Sequence, residues 1–356
     1  MSLALGGRPA EEEPAPHGEA QPPPRPGAEE EGEADDSGDS DADEYYCHNV
    51  LLRNDGTAMA TGGNAKGQCD LPALPAGRTY VRASAGADYT VLLMSDGTAV
   101  ACGENGFGQC DLPALAAGLT YVQASAGGEH TVLLRSDGTA VACGRNDEAQ
   151  CDLLGLPAGL RYLQASAGAE HTVLLRSDGR AVACGRNDEG QCDLPALPAG
   201  LSYVQASSGC LHTVLLRSDG TAVACGENAE GQCDFPALPA GLTFVHASAG
   251  GEHTVLVRSD GAAVACGDDA EGQCDLPALP ACRKHVQASA GWEHTVLLRS
   301  DGTAVACGRN SEGQCNLPAL PSEVARLRAI TSARSFPQAW QVYVSSITPF
   351  RYTYLA

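Results

Sequence analysis

The chain has 356 residues, of which 42 are glycine, 16 are cysteine and only 5% are aromatic. Its 22 Lys and Arg residues stand against 44 Asp and Glu residues, so the formal net charge is -22. Because non-specific contact with nucleic acid or an anionic membrane relies on Lys and Arg, this charge argues against both kinds of partner. No stretch reaches the roughly 18 apolar residues of a transmembrane helix. The first residues lack the basic region of a secretory signal, so we expect a cytoplasmic or nuclear protein.

Residues 1–44 differ in composition from the rest of the chain. They hold 14 Asp or Glu residues and 2 Arg residues, with almost no aliphatic residue after Leu5. Such a segment cannot bury enough apolar surface to offset its chain entropy, so we predict a disordered acidic tail. Ser40 precedes several acidic residues, a context that acidophilic kinases prefer, and is a candidate phosphosite. The simplest interpretation of this tail is a solubilising leader.

From residue 45 onward the chain repeats with a period of 41. The pairs Gln-Cys and Asp-Gly each recur seven times at this spacing, without an insertion. The cysteines of the first pair are Cys69, Cys110, Cys151, Cys192, Cys233, Cys274 and Cys315. Self-similarity at a fixed period of this length indicates a repeat architecture.

One copy, residues 121–160, predicts three short strands at 121–125, 130–135 and 139–143. Ser136-Asp137-Gly138 forms the turn between the last two, with glycine where a positive φ is expected. Helical repeats would need long runs with apolar residues every three or four positions, and glycine or proline interrupts every such run. Repeated antiparallel units of about 40 residues fit propeller blades. The sequence therefore predicts an all-β, seven-bladed β-propeller.

The first copy lacks the first of its three strands. In the 41-residue register, residues 324–331 fall where that strand would lie, so they would supply it. The last repeat would then close the ring and remove an open strand edge. We predict three regions: the tail at 1–44, the propeller at 45–333 and an aromatic-rich C-terminal tail at 334–356. Whether this last tail packs on the propeller or binds elsewhere stays open.

The segments CGRNDEGQC and ASAGxEHTVLLRSDGTAVA carry a family resemblance. Glycine, histidine, Asp-Gly, Gly-x-Asn and Gly-Gln recur in the order that resembles the regulator of chromosome condensation repeat, over residues 45–331. The resemblance implies a seven-bladed propeller. It also implies the family's functions, which include nucleotide exchange on small GTPases, ubiquitin-ligase interaction, ultraviolet-B reception in plants and β-lactamase inhibition. Cysteine replaces the family's frequent tryptophan at Cys102, Cys143, Cys184, Cys225, Cys266 and Cys307.

Thirteen of the sixteen cysteines occupy two repeat positions, spaced as C-x7-C. Zinc sites use tighter pairs, and a reducing compartment disfavours disulfides, so we predict that these thiols pack as small apolar groups. Cys47, Cys210 and Cys282 fall outside the two positions and are candidates for reactivity. We predict neither a metal site nor a cofactor.

Histidine recurs at His48, His130, His171, His212, His253 and His294, with Tyr89 in the second copy. Equivalent positions in a seven-membered ring lie too far apart to share one ion. We predict instead that each histidine bridges strands within its own blade by a hydrogen bond. No catalytic residue is predicted, because no Ser-His-Asp set, phosphate loop or carboxylate pair stands outside the repeat.

Positions that differ between copies are candidates for recognition, although neutral drift of duplicated repeats would also produce differences. Two such positions lie opposite the Ser-Asp-Gly turns: just before the histidine and in the loop before Gly-Gln. They carry mostly acids, and the exceptions are Lys66, Phe107, Cys210, Leu211 and Trp292. An exposed aromatic residue among charges is a candidate anchor for a partner.

These features favour a monomeric, non-enzymatic interaction scaffold or adaptor that binds a protein on one propeller face. Three alternatives come from the family resemblance: the substrate-recognition part of a ubiquitin ligase system, a guanine-nucleotide exchange factor, and an enzyme-inhibiting propeller. The uniform spacing leaves no room for an exchange factor's projecting wedge. With only two tryptophans, the chain lacks a photoreceptor's cluster.

Overall fold

The computed structural model describes residues 47–53, 55–317 and 340–344. These residues form 21 β-strands. The strands are β1 (His48–Arg53), β2 (Ala58–Gly62), β3 (Tyr80–Ala85), β4 (Tyr89–Met94), β5 (Ala99–Gly103), β6 (Tyr121–Ala126), β7 (His130–Arg135), β8 (Ala140–Gly144), β9 (Tyr162–Ala167), β10 (His171–Arg176), β11 (Ala181–Gly185), β12 (Tyr203–Ser208), β13 (His212–Arg217), β14 (Ala222–Gly226), β15 (Phe244–Ala249), β16 (His253–Arg258), β17 (Ala263–Gly267), β18 (His285–Ala290), β19 (His294–Arg299), β20 (Ala304–Gly308) and β21 (Trp340–Val344). The predicted acidic tail, its candidate phosphosite Ser40, the segment 324–331 and the boundary at 333 lie outside the described residues.

The strands form seven three-stranded antiparallel sheets, and each sheet is one blade. Blade 1 consists of β2, β1 and β21, and blades 2 to 7 use three consecutive strands each, from β3–β5 to β18–β20. The first strand of each triplet is the inner one, since inner strands of neighbouring blades contact one another around the axis. The chain is therefore a seven-bladed β-propeller, as the repeat period predicts.

Each blade is built on a tight hairpin between its middle and outer strands. In blade 3 the Gly138 amide donates to the Arg135 carbonyl at 2.9 Å, and the Arg135 amide donates to the Thr139 carbonyl at 2.8 Å. Gly138 has a φ of 85°, which suits the last residue of a three-residue hairpin loop. A Cβ there would also lie 2.6 Å from the Cβ of Arg161. Glycine is thus required both by the backbone and by the neighbouring blade.

The hydrophobic core lies between blades. Residues 130–134 of β7 are all buried, and successive side chains point to opposite sides. Val132 and Leu134 pack against Tyr162 of blade 4, whereas Leu133 packs against blade 2. A single blade therefore has no core of its own, and the repeats stabilise one another.

The ring closes through β21, which takes the inner position of blade 1 between β18 and β3. It runs antiparallel to β1, in a register from Asn49 opposite Val344 to Arg53 opposite Trp340. The closing strand described is thus 340–344, in the part assigned above to a separate tail, rather than 324–331. The 41-residue register does not extend past the last copy. The sequence WQVYV is also richer in aromatic and β-branched residues than VARLRAIT.

The repeated histidines join neighbouring blades, so the prediction that they bridge strands within one blade is wrong. His130 Nε2 of blade 3 lies 2.9 Å from Thr172 Oγ1 of blade 4. That hydroxyl donates to the Gln150 carbonyl at 2.8 Å, so the imidazole must donate through Nε2. Equivalent bonds join His48 to Thr90, His171 to Thr213, His212 to Thr254 and His253 to Thr295.

At two places a different residue type forms the inter-blade hydrogen bond, so every pair of neighbouring blades described here is joined. At the closure, His294 Nε2 lies 2.9 Å from Asn49 Oδ1, while Asn49 Nδ2 donates to the Gln314 carbonyl. The amide therefore accepts and donates as the threonine hydroxyl does elsewhere. In blade 2, the Tyr89 hydroxyl donates to the His130 carbonyl at 2.5 Å. Burial lowers the pKa of the six histidines to about 3 or 4, so they are neutral.

Candidate functional site

The propeller has two faces with different chemistry. We call the face with the Ser-Asp-Gly turns, such as 136–138, the turn face. The opposite face carries the residues before each middle strand and the loops after each outer strand, such as 127–129 and 145–150, and we call it the loop face. The five predicted partner-binding residues lie on the loop face, as predicted, but in two separate groups. Lys66 and Phe107 lie in the outer loops, whereas Cys210, Leu211 and Trp292 precede middle strands near the axis.

In the outer group, Phe107 and Lys66 each lie beside a charged side chain. The Phe107 side chain is 49% exposed, and the Arg145 guanidinium carbon lies 5.2 Å from the centre of its ring. This is a cation–π distance. Lys66 Nζ lies 3.2 Å from Glu104 Oε2, and this contact lowers the pKa of the Glu104 carboxyl. Phe107 is therefore an accessible apolar group held beside a cation.

Cys210 and Trp292 of the axial group line a small apolar depression of 40 Å³, whereas Leu211 is not among its lining residues. Its wall includes the residues two places before Tyr89 and before the histidines of blades 3 to 7, and most of these are small. They are Ala87, Gly128, Ala169, Cys210, Gly251 and Trp292. The indole of Trp292 is half-buried in this wall rather than fully exposed. Trp292 and Cys210 thus share one depression, and the structure does not bring them to Phe107.

Ion pairing divides the loop face into two parts. In three blades an arginine after the outer strand pairs with the glutamate before the middle strand, at 2.7 or 2.8 Å. The pairs are Arg145–Glu129, Arg186–Glu170 and Arg309–Glu293. In blades 5 and 6, Glu227 and Asp268 occupy the arginine position. Burial and these two nearby carboxylates raise the pKa of Glu252. Blades 5 and 6 therefore present unneutralised carboxylates beside the axial depression.

None of the 16 cysteines, all of which the structure describes, forms a disulfide, and the repeated thiols act as weak donors to the backbone. Cys110 Sγ lies 3.3 Å from the Glu104 carbonyl, and Cys143 Sγ lies 3.7 Å from the Gln109 carbonyl. Burial raises the pKa of both thiols to about 12, so they stay protonated at neutral pH. This geometry agrees with the predicted packing role. Among the described residues, no group of three or more potential metal-binding side chains could hold an ion.

Cys282 differs from the other cysteines because it is exposed. Its φ of 63° lies in the left-handed region, where the equivalent residues of five other copies are glycine.

No helix in the described part of the chain is long and apolar enough to cross a membrane.

The turn face contains a cleft that the sequence reasoning missed. The cleft has a volume of 240 Å³ and is lined by residues of blades 2, 3 and 4, among them Arg82, Arg135 and Arg161. Two of these arginines break the repeat: Arg82 stands where most copies have glutamine, and Arg161 where several have threonine. These two departures from the repeat are the sequence signal for the cleft, and they lie on the turn face rather than on the loop face.

These features define a repeat propeller with two chemically distinct faces. Five of its copies match the model of the regulator of chromosome condensation (RCC1) repeat, at residues 81–109, 121–150, 163–191, 244–273 and 286–314. The chain belongs to this repeat family, as its sequence motifs indicate. No curated protein sequence matches it significantly.

Solved structures share its fold at low sequence identity. Prp20p from Saccharomyces cerevisiae has a TM-score of 0.61 and 19% identity, covering 80% of this chain and 83% of that chain. Human WBSCR16 has a TM-score of 0.59 and 14% identity, covering 76% and 91%. The CRINKLY WD40 ectodomain of the Arabidopsis thaliana receptor kinase ACR4 has a TM-score of 0.57 and 18% identity, covering 75% and 93%. At these identities the likeness shows the fold alone.

Proposed function

We propose that this protein is a non-enzymatic scaffold that holds a protein partner on its loop face. The observation that supports this most directly is the half-exposed Phe107 ring beside the Arg145 guanidinium. Aromatic and arginine side chains dominate the energetics of many interfaces, and here they adjoin. The equivalent position carries Glu or Lys in the other copies, so the aromatic group is particular to blade 2.

The chemistry of the loop face suggests the kind of partner. Glu227 and Asp268 lie where blades 3, 4 and 7 carry the arginine of an arginine–glutamate pair, so Glu252 has carboxylates nearby in place of a guanidinium. A partner with basic side chains would neutralise them, and an apolar side chain would fit the depression beside Trp292. Prp20p is described as binding Gsp1p and histones, which is consistent with protein partners for this fold. Sixteen cysteines outside disulfides suit a cytoplasmic or nuclear location.

The test compares loop-face and turn-face variants in quantitative affinity capture. Phe107→Glu should remove a partner captured by the wild-type chain, because it places a carboxylate where an apolar contact is needed. Trp292→Ala should weaken binding about tenfold, the scale of an aromatic interface residue. The melting temperature of Trp292→Ala should change little, because the equivalent position is Ala87 in blade 2 and Ala169 in blade 4.

Arg217→Ala is the matched control, since Arg217 ends β13 on the turn face. It should leave capture unchanged. Loss of the partner with Arg217→Ala, together with full binding by Phe107→Glu and Trp292→Ala, would show that the proposed face is wrong. Unfolding of Trp292→Ala would show that the indole belongs to the core. A panel of small GTPases should show no accelerated nucleotide release, and acceleration would instead support the exchange-factor alternative.

A further inference from the structure

The turn-face cleft combines positive charge with exposed apolar surface. Arg82 of blade 2, Arg135 of blade 3 and Arg161 of blade 4 line it, and none of its lining residues is a carboxylate. The closest acid in the sequence, Asp137, accepts hydrogen bonds from the Thr139 amide and hydroxyl at 2.9 and 2.7 Å. Asp137 stays ionised, so three guanidinium groups line the cleft against one adjacent carboxylate, and the net local charge is positive, in contrast to the chain as a whole.

Arg82 cannot form the pair of inter-blade hydrogen bonds that the residue at its repeat position forms in blade 3. In blade 3 this position is Gln123, whose side-chain amide donates to the Ala165 carbonyl at 2.9 Å and accepts from the Ala165 amide at 3.0 Å. A guanidinium has no acceptor atom, so Arg82 cannot form such a pair with the next blade. The substitution removes one inter-blade link and adds a charge to the cleft.

None of the three arginines lies within ion-pair distance of a carboxylate in the part of the chain that the structure describes, although the charge of Arg135 contributes to lowering the pKa of Asp137. Elsewhere on the turn face, Arg78, Arg176, Arg258 and Arg283 pair with aspartates. Among the described residues, Arg82, Arg135 and Arg161 form no ion pair. The Nε of Arg135 is buried without a hydrogen-bond acceptor. The same Nε lacks an acceptor in Arg217 and Arg299, so this feature belongs to the repeat, and the charges particular to the cleft come from Arg82 and Arg161.

The apolar part of the cleft comes from an irregularity in the inner strands. In blade 3 the register shifts between Tyr121 and Gln123, so Val122 is left without a partner in β7. Val122 is 44% exposed, and Leu163 at the equivalent place in blade 4 is 56% exposed. Both side chains line the same cleft as the arginines.

From this geometry we infer that the turn-face cleft between blades 2 and 4 binds an acidic segment of a partner protein. Guanidinium groups bind carboxylates through paired, charge-assisted hydrogen bonds, which gives both affinity and orientation. An aliphatic side chain between the carboxylates would contact Val122 and Leu163. This surface is separate from the loop face and opposite to it in charge, so the two faces would select different partners.

The test uses the full chain and three labelled five-residue peptides in fluorescence anisotropy at low ionic strength. The acidic probe is Glu-Glu-Leu-Glu-Glu-amide, with the fluorescent label on its N-terminal amine. The second probe replaces each Glu with Lys, and the third replaces Leu with Gly. We expect the acidic probe to bind, the Lys probe not to bind, and the Gly probe to bind more weakly. Added salt should weaken binding, because the contacts are ionic.

Two substitutions introduce residues that other copies already carry at the same positions. The variants should therefore fold. Arg82→Gln restores the glutamine of blades 3, 4 and 5, and Arg161→Thr restores the threonine found before β3, β6 and β15. Together they should weaken binding of the acidic probe by at least about tenfold, as expected for losing charge-assisted hydrogen bonds. Arg217→Gln, at the position of Arg135 but in blade 5, should have no effect. Full-strength binding by the double variant, or equal binding of the Lys and Glu probes, would overturn the inference.

Discussion

Lowering the pH from about 7.5 to about 5.5 should destabilise the propeller through its inter-blade histidines. Each of the six imidazoles is buried, donates through Nε2, and leaves Nδ1 without a hydrogen-bond partner. A second proton would place a charge in the core with no acceptor to receive it, which is why the folded pKa falls from 6.5 to about 3 or 4. The unfolded chain binds these protons and the folded chain does not. Stability is therefore complete above pH 6.5 and is lost as the pH falls below it.

The size of this loss of stability is set by protonation of the histidines in the unfolded chain. At one pH unit below its ordinary pKa, each unfolded imidazole is stabilised by protonation by about 1.4 kcal/mol. Six independent groups together lower the free energy of unfolding by about 8 kcal/mol, which is comparable to the total stability of many domains. At pH 5.5 the loss does not depend on the folded pKa values, because all of them lie well below this pH.

A variant that copies the arrangement of blade 2 isolates one histidine. Tyr89 occupies the histidine position there, accepts from the Gly127 amide at 3.1 Å and donates to the His130 carbonyl. His171→Tyr should therefore keep an inter-blade bond without a group that titrates in this range. Urea unfolding followed by far-UV circular dichroism at both pH values would give the four free energies of unfolding. Acidification should cost the variant about 1.4 kcal/mol less than the wild type.

This double difference cancels the effects of carboxylates and net charge, which both proteins share. A value within about 0.3 kcal/mol of zero would refute the assignment, since that is the ordinary error of additivity. So would a His171 imidazole proton signal that titrates near pH 6.5 in the folded protein by nuclear magnetic resonance.

Three further predictions concern the scaffold. Gly168→Ala should lower the urea midpoint strongly, because a Cβ would lie 2.4 Å from the His171 ring and 2.6 Å from the Gly209 carbonyl, whereas Gly155→Ala meets nothing within 4 Å and should be neutral or stabilising. Equal midpoints would contradict the close approach of the blades. Replacing Trp340–Val344 with a Gly-Ser segment should lower the melting temperature by removing the inner strand of blade 1, whereas the same replacement at 324–331 should have a smaller effect, and the reverse order would restore the closure predicted from the repeat register. Iodoacetamide at neutral pH, with sites identified by mass spectrometry, should label the exposed Cys282 before any repeated thiol, and rapid labelling of the repeated thiols would show that they are not held protonated.

Local sequence was enough to predict the blade. The Ser-Asp-Gly turn needs only a glycine with positive φ and an aspartate that bonds the following threonine, and all these residues lie within a few positions of one another. The hairpins, the count of seven and the scaffold role of the cysteines follow from such short-range patterns. The placement of Phe107 and Trp292 on one face follows as well, because strand direction alternates along each blade.

Tertiary structure decided how the blades are joined. The bond from His130 to Thr172 connects residues 42 positions apart, and nothing in one copy distinguishes it from a bond within the blade. The closing strand lies beyond the last repeat, where the 41-residue register no longer holds. The cleft of Arg82 and Arg161 needed three neighbouring blades in place, since each blade contributes only one of its charges. A repeated sequence specifies its local unit many times over. The contacts between units depend on the geometry of the ring, which no single copy contains.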